Sequence, residues 1–176
     1  NLGTALKDQG KLDQAIIAFN KALNLQPDNA ATYNNIGLTL KDQGNLQEAK
    51  EAFNKALSFN SGYAKAHRNL STLVKYKTGD SQIKSVDQLL KLAETNVGDK
   101  CRLHYAAAKM KEDTGDLEEA FKHFVAGGAL RKKLLSYNLK QDEERFFEIK
   151  ATANRYESLN FQLDREQINL TPIFIL

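Results

Sequence analysis

The sequence predicts an all-α protein built as a solenoid of stacked helix pairs, and three observations predict it. A shift of 34 residues aligns identical residues 6–10 with 40–44 and 19–23 with 53–57, which reveals an internal duplication. Within each duplicated unit, apolar residues recur at helical spacing in two separate stretches. With 41% hydrophobic residues and only 2 prolines among 176 residues, the chain has room for long helices. A period of this length is typical of helical repeat arrays.

The composition excludes several classes of protein. Charged residues make up 27% of the chain, an ordinary share for folded proteins, so disorder is not predicted. Apolar runs are far shorter than the roughly 20 residues of a membrane span. The single cysteine excludes an internal disulfide framework, and a net charge of +3 is too weak to indicate nucleic-acid binding. We expect a soluble cytoplasmic protein with neither a nucleic-acid nor a membrane partner, and the start at Asn1 suggests a fragment.

The second unit shows how each helix pair is built. Ile36 and Gly37 lie on one face of a first helix, and Ala49 and Phe53 lie on one face of a second. Gly44 falls between the two, where a residue free to adopt a positive φ can end the first helix. The small residues Gly37 and Ala49 let the helices approach closely, and Phe53 fills the space beside them.

This pattern resembles the tetratricopeptide repeat (TPR) family. The motif of that family is Trp-x2-Leu-Gly-x2-Tyr, followed by Ala-x3-Phe and Pro. In the second unit the motif falls on Tyr33, Ile36, Gly37, Leu40, Ala49, Phe53 and Ser61. In the first unit it falls on Leu2, Gly3, Leu6, Ala15, Phe19 and Pro27. The resemblance implies a right-handed superhelix whose first helices line a concave groove for peptides or proteins.

We predict about four repeats followed by a capping helix and a tail. The bounds of the repeats are 1–29 (partial), 30–63, 64–97 (degenerate) and 98–137, the last with an extended second helix. Residues 138–162 are predicted to form the capping helix. Residues 163–176 are predicted to form a linker that ends in a short strand-like tail.

The tail carries a second resemblance. Residues 171–176 are β-branched and aromatic, with a proline near their start, which is typical of a strand. This tail resembles bacterial proteins that join TPRs to a sulfotransferase domain, as do residues 66–71, 76–80, 113–116 and 120–121. In those proteins this strand is the first of the catalytic domain, and a phosphate-binding loop follows it. The loop is not found in this sequence. The resemblance implies a sulfotransferase as the parent protein, without sulfotransferase activity in this chain.

The predicted groove is basic. Its candidate residues are Asn35, Asn69, Lys41, Lys65, Arg68, Lys75, Arg102 and Lys109. The two asparagines continue a row that begins at Asn1, and Lys41 and Lys75 continue one that begins at Lys7. The amides can bond to an extended peptide backbone or merely satisfy neighbouring backbone groups. The charges can attract acidic peptides or pair internally with aspartates. A chaperone-type carboxylate clamp is matched only in part, because Asn69 replaces a basic residue of that clamp.

No catalytic, cofactor or metal site is predicted, so the chain is not expected to be an enzyme. His67 and His104 lie at a repeat position normally held by an aromatic core residue, and we expect them to be partly buried. His123 follows Glu119 by one turn, which predicts a surface pair. Histidines and carboxylates nowhere complete a zinc ligand set in sequence. Cys101 has no adjacent base that would make it a nucleophile.

The sequence therefore favours a non-catalytic scaffold that binds a protein or an extended, acidic peptide in its concave groove. The alternative is the N-terminal fragment of a sulfotransferase whose catalytic domain is absent, and this fragment would recruit a substrate or a partner. An RNA-reading repeat is disfavoured, because base-reading side chains vary between repeats whereas the asparagine and lysine rows are uniform. Uncovered ends of the solenoid and an unpaired strand predict self-association.

Overall fold

Paired helices account for most of the chain. The computed structural model describes residues 2–92, 95–135 and 143–151. The chain divides into two units, Asn1–Leu135 and Ser136–Leu176. The helices of the first unit are α1 (Leu2–Asp8), α2 (Leu12–Leu25), α3 (Ala30–Asp42), α4 (Leu46–Phe59), α5 (Ala64–Ser71), α6 (Ser81–Lys91), α7 (Val97–Asp113) and α8 (Leu117–Leu134). In the second unit, residues 143–151 are helical. The described residues contain no strand, as an all-α fold requires.

The turn between α3 and α4 has the geometry that the sequence predicts. Gly44 adopts a φ of 82°, in the left-handed region that favours glycine. The N–H of Asn45 donates to the carbonyl of Leu40 at 2.9 Å, and that of Gly44 donates to Lys41 at 3.0 Å. These two bonds satisfy carbonyls that the end of α3 leaves free. The equivalent turn after α1 uses Gly10 in the same way.

The core of the first two helix pairs is built around phenylalanines. Phe53 is fully buried and Phe19 nearly so, and each packs beside a glycine of the preceding helix. A Cβ atom added to Gly37 would lie 2.6 Å from the ring of Phe53. This distance is too short for any larger residue, so glycine is required for α3 and α4 to approach. The close packing predicted from Gly37 and Phe53 is confirmed.

The third pair departs from the repeat. Ala64, His67, Leu70 and Val74 recur at helical spacing, which predicts a first helix that reaches Val74, but α5 ends at Ser71. The hydroxyls of Ser71 and Thr72 donate to the carbonyls of Arg68 and Asn69 at 2.8 and 2.7 Å. Such side-chain bonds compete with helix continuation, and Thr72 and Val74 are β-branched, which lowers helix propensity further. Lys75, which was expected on this helix, therefore lies beyond its end.

A buried chain of polar groups fixes the segment between α5 and α6. The Tyr76 hydroxyl donates to Gln82 Oε1 at 3.0 Å, and Gln82 Nε2 lies 3.3 Å from His67 Nδ1. His67 Nε2 lies 2.8 Å from the carbonyl of Ser61. Burial raises the pKa of Tyr76 strongly and lowers the pKa of His67, so both groups are neutral at pH 7. The expected burial of His67 is confirmed.

The last helix pair shares a core with the third. Val86 of α6 and Leu103 and Met110 of α7 are buried together, and α6 packs on α7. Asp113 joins the irregular segment to α7, because its carboxylate accepts from the Tyr76 N–H and from Lys109 Nζ. Burial opposes the charge on Asp113, but these two donors outweigh burial and lower its pKa.

The C-terminal predictions are met only in part. α8 continues through Gly127 and Gly128 to Leu134, as the sequence predicts for an extended second helix. Within the predicted capping helix, 138–162, residues 143–151 are helical and the others lie outside the described residues. The predicted strand at 171–176 also lies outside them.

Candidate functional site

Four helices of the first unit enclose one concave cavity of about 500 Å³. We name it the basic pocket. Its lining residues are Asn34, Asn35 and Leu38 from α3, Lys65, Arg68 and Asn69 from α5, Cys101, Arg102 and Tyr105 from α7, and Arg131 from α8. Three of the four helices are first helices of their pairs, so the repeat geometry brings residues that are distant in sequence to one surface.

The basic pocket carries four cations and no acidic lining residue. Lys65 and Arg131 are exposed and form no ion pair within the described parts of the chain. Arg102 Nη1 lies 3.1 Å from Asp99 Oδ1, so part of its charge is compensated by its own helix. Positive charge in a concave surface focuses the field and attracts anionic partners. This arrangement is suited to binding an anionic group.

An aromatic ring holds one of these cations in place. The Arg68 guanidinium lies 5.6 Å from the centre of the Tyr105 ring, within the range of a cation–π interaction. Tyr105 in turn packs edge-on against Phe124 of α8, with ring centres 6.3 Å apart. Arg68 therefore loses less rotamer entropy when it binds an anion than a free arginine does.

The asparagines of the row have different surroundings, and neither the Asn35 nor the Asn69 side chain satisfies neighbouring backbone groups in the described part of the chain. Asn69 Nδ2 donates to Asn34 Oδ1 at 2.8 Å, and Asn34 is buried. One donor of Asn69 is thus used within the protein, by a side chain and not by backbone. The side chain of Asn35 is half-buried and has no hydrogen-bond partner in the described residues, so its amide is available to a ligand. Asn1 lies outside the described residues.

The structure brings five of the eight predicted groove residues together in the basic pocket: Asn35, Asn69, Lys65, Arg68 and Arg102. The other three lie outside its lining. Lys41 Nζ donates to Thr72 Oγ1 at 3.1 Å, and Lys109 pairs with Asp113. Lys75 is exposed in the irregular segment.

Five lining residues were not among the predicted site residues. Three of them, Asn34, Leu38 and Tyr105, lie on first helices at positions that face the concave groove. Their place in the repeat could therefore have identified them as lining residues. Cys101 is buried and its thiol lies 3.4 Å from the carbonyl of Gly127, so it packs between α7 and α8. Arg131 reaches the pocket because α8 is longer than a standard repeat helix, and the repeat pattern contains no signal for it.

The remaining histidines pair with each other across α7 and α8. His104 Nδ1 lies 2.9 Å from His123 Nδ1, and both rings are half-buried. The expected surface pair of His123 with Glu119 is replaced by this contact, because Glu119 binds Lys122 at 2.7 Å. Burial lowers the pKa of both histidines. Within the described ranges, groups of three or more potential metal ligands do not occur.

The lowered histidine pKa values predict that the protein loses stability in mild acid. His67, His104 and His123 all have folded-state pKa values below their usual range. The unfolded chain therefore takes up protons first as the pH falls below about 6.5, which favours unfolding until the folded pKa values are reached. We expect the free energy of unfolding in urea to be lower at pH 5.5 than at pH 7.5. The double variant His104→Gln/His123→Gln should reduce this difference, and an unchanged difference would contradict the assignment.

Family models recognise the repeats in the N-terminal part of the chain. A TPR repeat model matches residues 3–44, and a tetratricopeptide repeat model matches residues 30–63. No curated protein sequence matches the chain. Among the described residues, no helix is both long enough and apolar enough to cross a membrane.

Solved structures share the fold. A MamA protein is 22% identical, with coverage of 78% of this chain and 73% of that chain and a TM-score of 0.52. MamA AMB-1 is 24% identical, with coverage of 75% and 76% and a TM-score of 0.52. MamA 41-end from Desulfovibrio magneticus RS-1 is 15% identical, with coverage of 95% and 93% and a TM-score of 0.50. The first unit is an all-α solenoid of helix pairs, and its residues 3–63 match the models of tetratricopeptide repeats.

Proposed function

We propose that the chain is a non-catalytic interaction scaffold that binds an acidic, extended peptide or protein segment in the basic pocket. The observation that supports this function best is the convergence of Lys65, Arg68, Arg102 and Arg131 on one cavity that no acidic residue lines. TPR repeats themselves favour protein interaction, and the described residues offer no metal cluster.

The pocket can contribute three kinds of interaction. The Asn35 amide can bond to peptide backbone whatever the sequence, with a net gain of about 0.5–1.5 kcal/mol per bond. Arginine guanidiniums can bind a ligand carboxylate with two parallel bonds. Leu38 and the Tyr105 ring supply apolar surface for the stems of ligand side chains. Lys41 and Lys75 lie outside the lining, and in our proposal they extend the positive field along the bound segment. Lys109 also lies outside the lining, and Asp113 compensates its charge.

Affinity is expected to be moderate and dependent on salt. Lys65 and Arg131 are exposed, so binding must restrict long side chains that are otherwise mobile, which costs about 0.5–1.5 kcal/mol for each side chain. Salt screens exposed charges over a distance of about 8 Å at physiological ionic strength. We therefore expect micromolar dissociation constants that increase with salt.

The proposed function is tested by the binding of labelled peptides with acidic, neutral and basic side chains at low and high salt. We expect only the acidic peptide to bind, and Lys65→Glu to weaken its binding by at least about tenfold through charge reversal in the pocket. Lys84→Glu is the matched control, because Lys84 is an exposed lysine of α6 outside the pocket. Asn35→Ala should weaken binding of the acidic peptide by a similar factor at low and at high salt, because the bond lost is to peptide backbone and not to a charge. Equal binding of basic peptides, or equal effects of the two charge reversals, would refute the proposal.

The other predictions of the sequence are retained as parts of the proposal. Self-association can use exposed apolar residues at both ends of the first unit, such as Leu2 on α1 and Leu117 and Phe121 on α8. The division into four repeats is proposed beyond residue 63, where the family models stop. The cytoplasmic location, the bacterial source and the sulfotransferase parent stay predictions of the sequence.

A further inference from the structure

We propose that the basic pocket selects a doubly charged anionic side chain, a phosphorylated serine or threonine within the bound peptide, over a carboxylate. This inference rests on the proposed function, since it names the ligand group that the same pocket prefers. It follows from the charge of the pocket, from the type and origin of its cations, and from its openness.

The charge of the pocket exceeds what one carboxylate can neutralise. Asp99 partly compensates Arg102, whereas Lys65, Arg68 and Arg131 have no carboxylate partner within the described ranges. A bound glutamate contributes one negative charge and leaves most of this excess in place. A phosphorylated side chain carries about −1.5 to −2 charges at pH 7 and three strong acceptor oxygens. The phosphoryl group is therefore the closer match in charge.

Three of the cations are arginines, and each comes from a different helix. Arg68 lies on α5, Arg102 on α7 and Arg131 on α8. Planar guanidiniums bind phosphate and carboxylate oxygens with two parallel bonds, whereas lysine acts as a point charge. Donors that approach from three helices suit a tetrahedral group with three oxygens better than a planar carboxylate, which presents two oxygens in one plane.

The pocket is also open enough for such a group. Lys65 and Arg131 are exposed at its edge, so a phosphoryl group need not lose all of its hydration to reach them. The Tyr105 ring, held between Arg68 and Phe124, forms a wall against which the side-chain stem of the phosphorylated residue can pack. The Asn35 amide lies in the same cavity and can bond to the peptide backbone on either side.

The test compares three peptides that differ only at one central residue, which is serine, glutamate or phosphoserine, by calorimetry with the full chain. We expect the phosphoserine peptide to bind at least about tenfold more tightly than the glutamate peptide, because it adds charge-assisted bonds. Inorganic phosphate is titrated separately. Equal binding of the phosphoserine and glutamate peptides would overturn the inference and leave the proposed function intact. Failure of both peptides would overturn the two together.

Variants show whether the preference comes from the pocket. Arg131→Gln should remove most of the preference for phosphoserine, whereas Lys132→Gln should preserve it, because Lys132 is the exposed neighbour of Arg131 on α8 and does not line the pocket. Both positions are exposed, so neither variant should affect folding. Equal effects of the two variants would refute the pocket as the source. Inorganic phosphate that binds as tightly as the phosphoserine peptide would show a small-anion site and would overturn the peptide ligand.

Discussion

Replacement of Phe53 by alanine is expected to lower the free energy of unfolding by about 3–5 kcal/mol, the usual cost of removing a large buried aromatic side chain. Phe53 is fully buried between α3 and α4, and its ring packs against the backbone of Gly37. Truncation loses this apolar burial and leaves a cavity that rigid neighbouring helices cannot fill. Since domains are stable by only about 5–15 kcal/mol, the variant should be largely unfolded at moderate urea concentrations.

The matched control for this prediction is Phe121→Ala. Phe121 is an exposed phenylalanine of α8, so its removal should change stability by less than about 0.5 kcal/mol. Both variants are compared with the parent by urea denaturation at low protein concentration, where self-association is negligible. Equal losses from the two variants would contradict the core described here.

Gly37→Ala is expected to destabilise the protein by about 1–3 kcal/mol, although alanine is the better helix former. The added Cβ would lie 2.6 and 2.7 Å from two ring carbons of Phe53, so α3 and α4 must separate or the ring must leave its position. The gain in helix propensity is about 1 kcal/mol at most and is outweighed by this overlap. Thermal and urea denaturation measure the loss.

Two further variants separate the overlap from propensity. Gly128→Ala in α8 adds a Cβ that meets nothing within 4 Å, so it should stabilise the protein by about 0.5–1 kcal/mol. Phe53→Leu should cost less in the Gly37→Ala background than in the parent, because the smaller side chain relieves the overlap. If the changes in unfolding free energy of the two single variants simply add up in the double variant, overlap between the new Cβ and the Phe53 ring is not the cause of the loss.

The first two helix pairs could be predicted because their determinants repeat. The turn at Gly44 and the contact between Gly37 and Phe53 each depend on residues within one repeat, and the 34-residue period marks them twice. The end of α5 could not be predicted in the same way. It depends on bonds from the hydroxyls of Ser71 and Thr72 to backbone carbonyls, which compete with helix formation. The free-energy difference between the two arrangements is small, and the spacing of apolar residues contains no information about it.

The site was predictable to the extent that helix position determines side-chain direction. Lys65, Arg68 and Arg102 were found because groove-facing positions recur along first helices. Lys75 was misplaced because it lies beyond the end of α5, and Arg131 was missed because it belongs to a second helix. The bond between Asn69 and Asn34 joins neighbouring repeats. The asparagine row was inferred from equivalent positions in each repeat, and such a comparison does not show which side chains of neighbouring repeats contact each other.

The short helix α5 contributes to both hydrophobic cores of the first unit, with Leu70 in the one and Ala64 in the other. In a linear array each element contacts only its neighbours, so this helix is the thermodynamic link between the two halves. Lys65, Arg68 and Asn69 of the same helix line the basic pocket together with residues of α3 and α7. A ligand in the basic pocket would therefore contact α5 together with the helices on either side of it, α3 and α7. Its binding energy would be added to the coupling between the halves, and a solenoid able to melt in steps would melt as one unit when occupied.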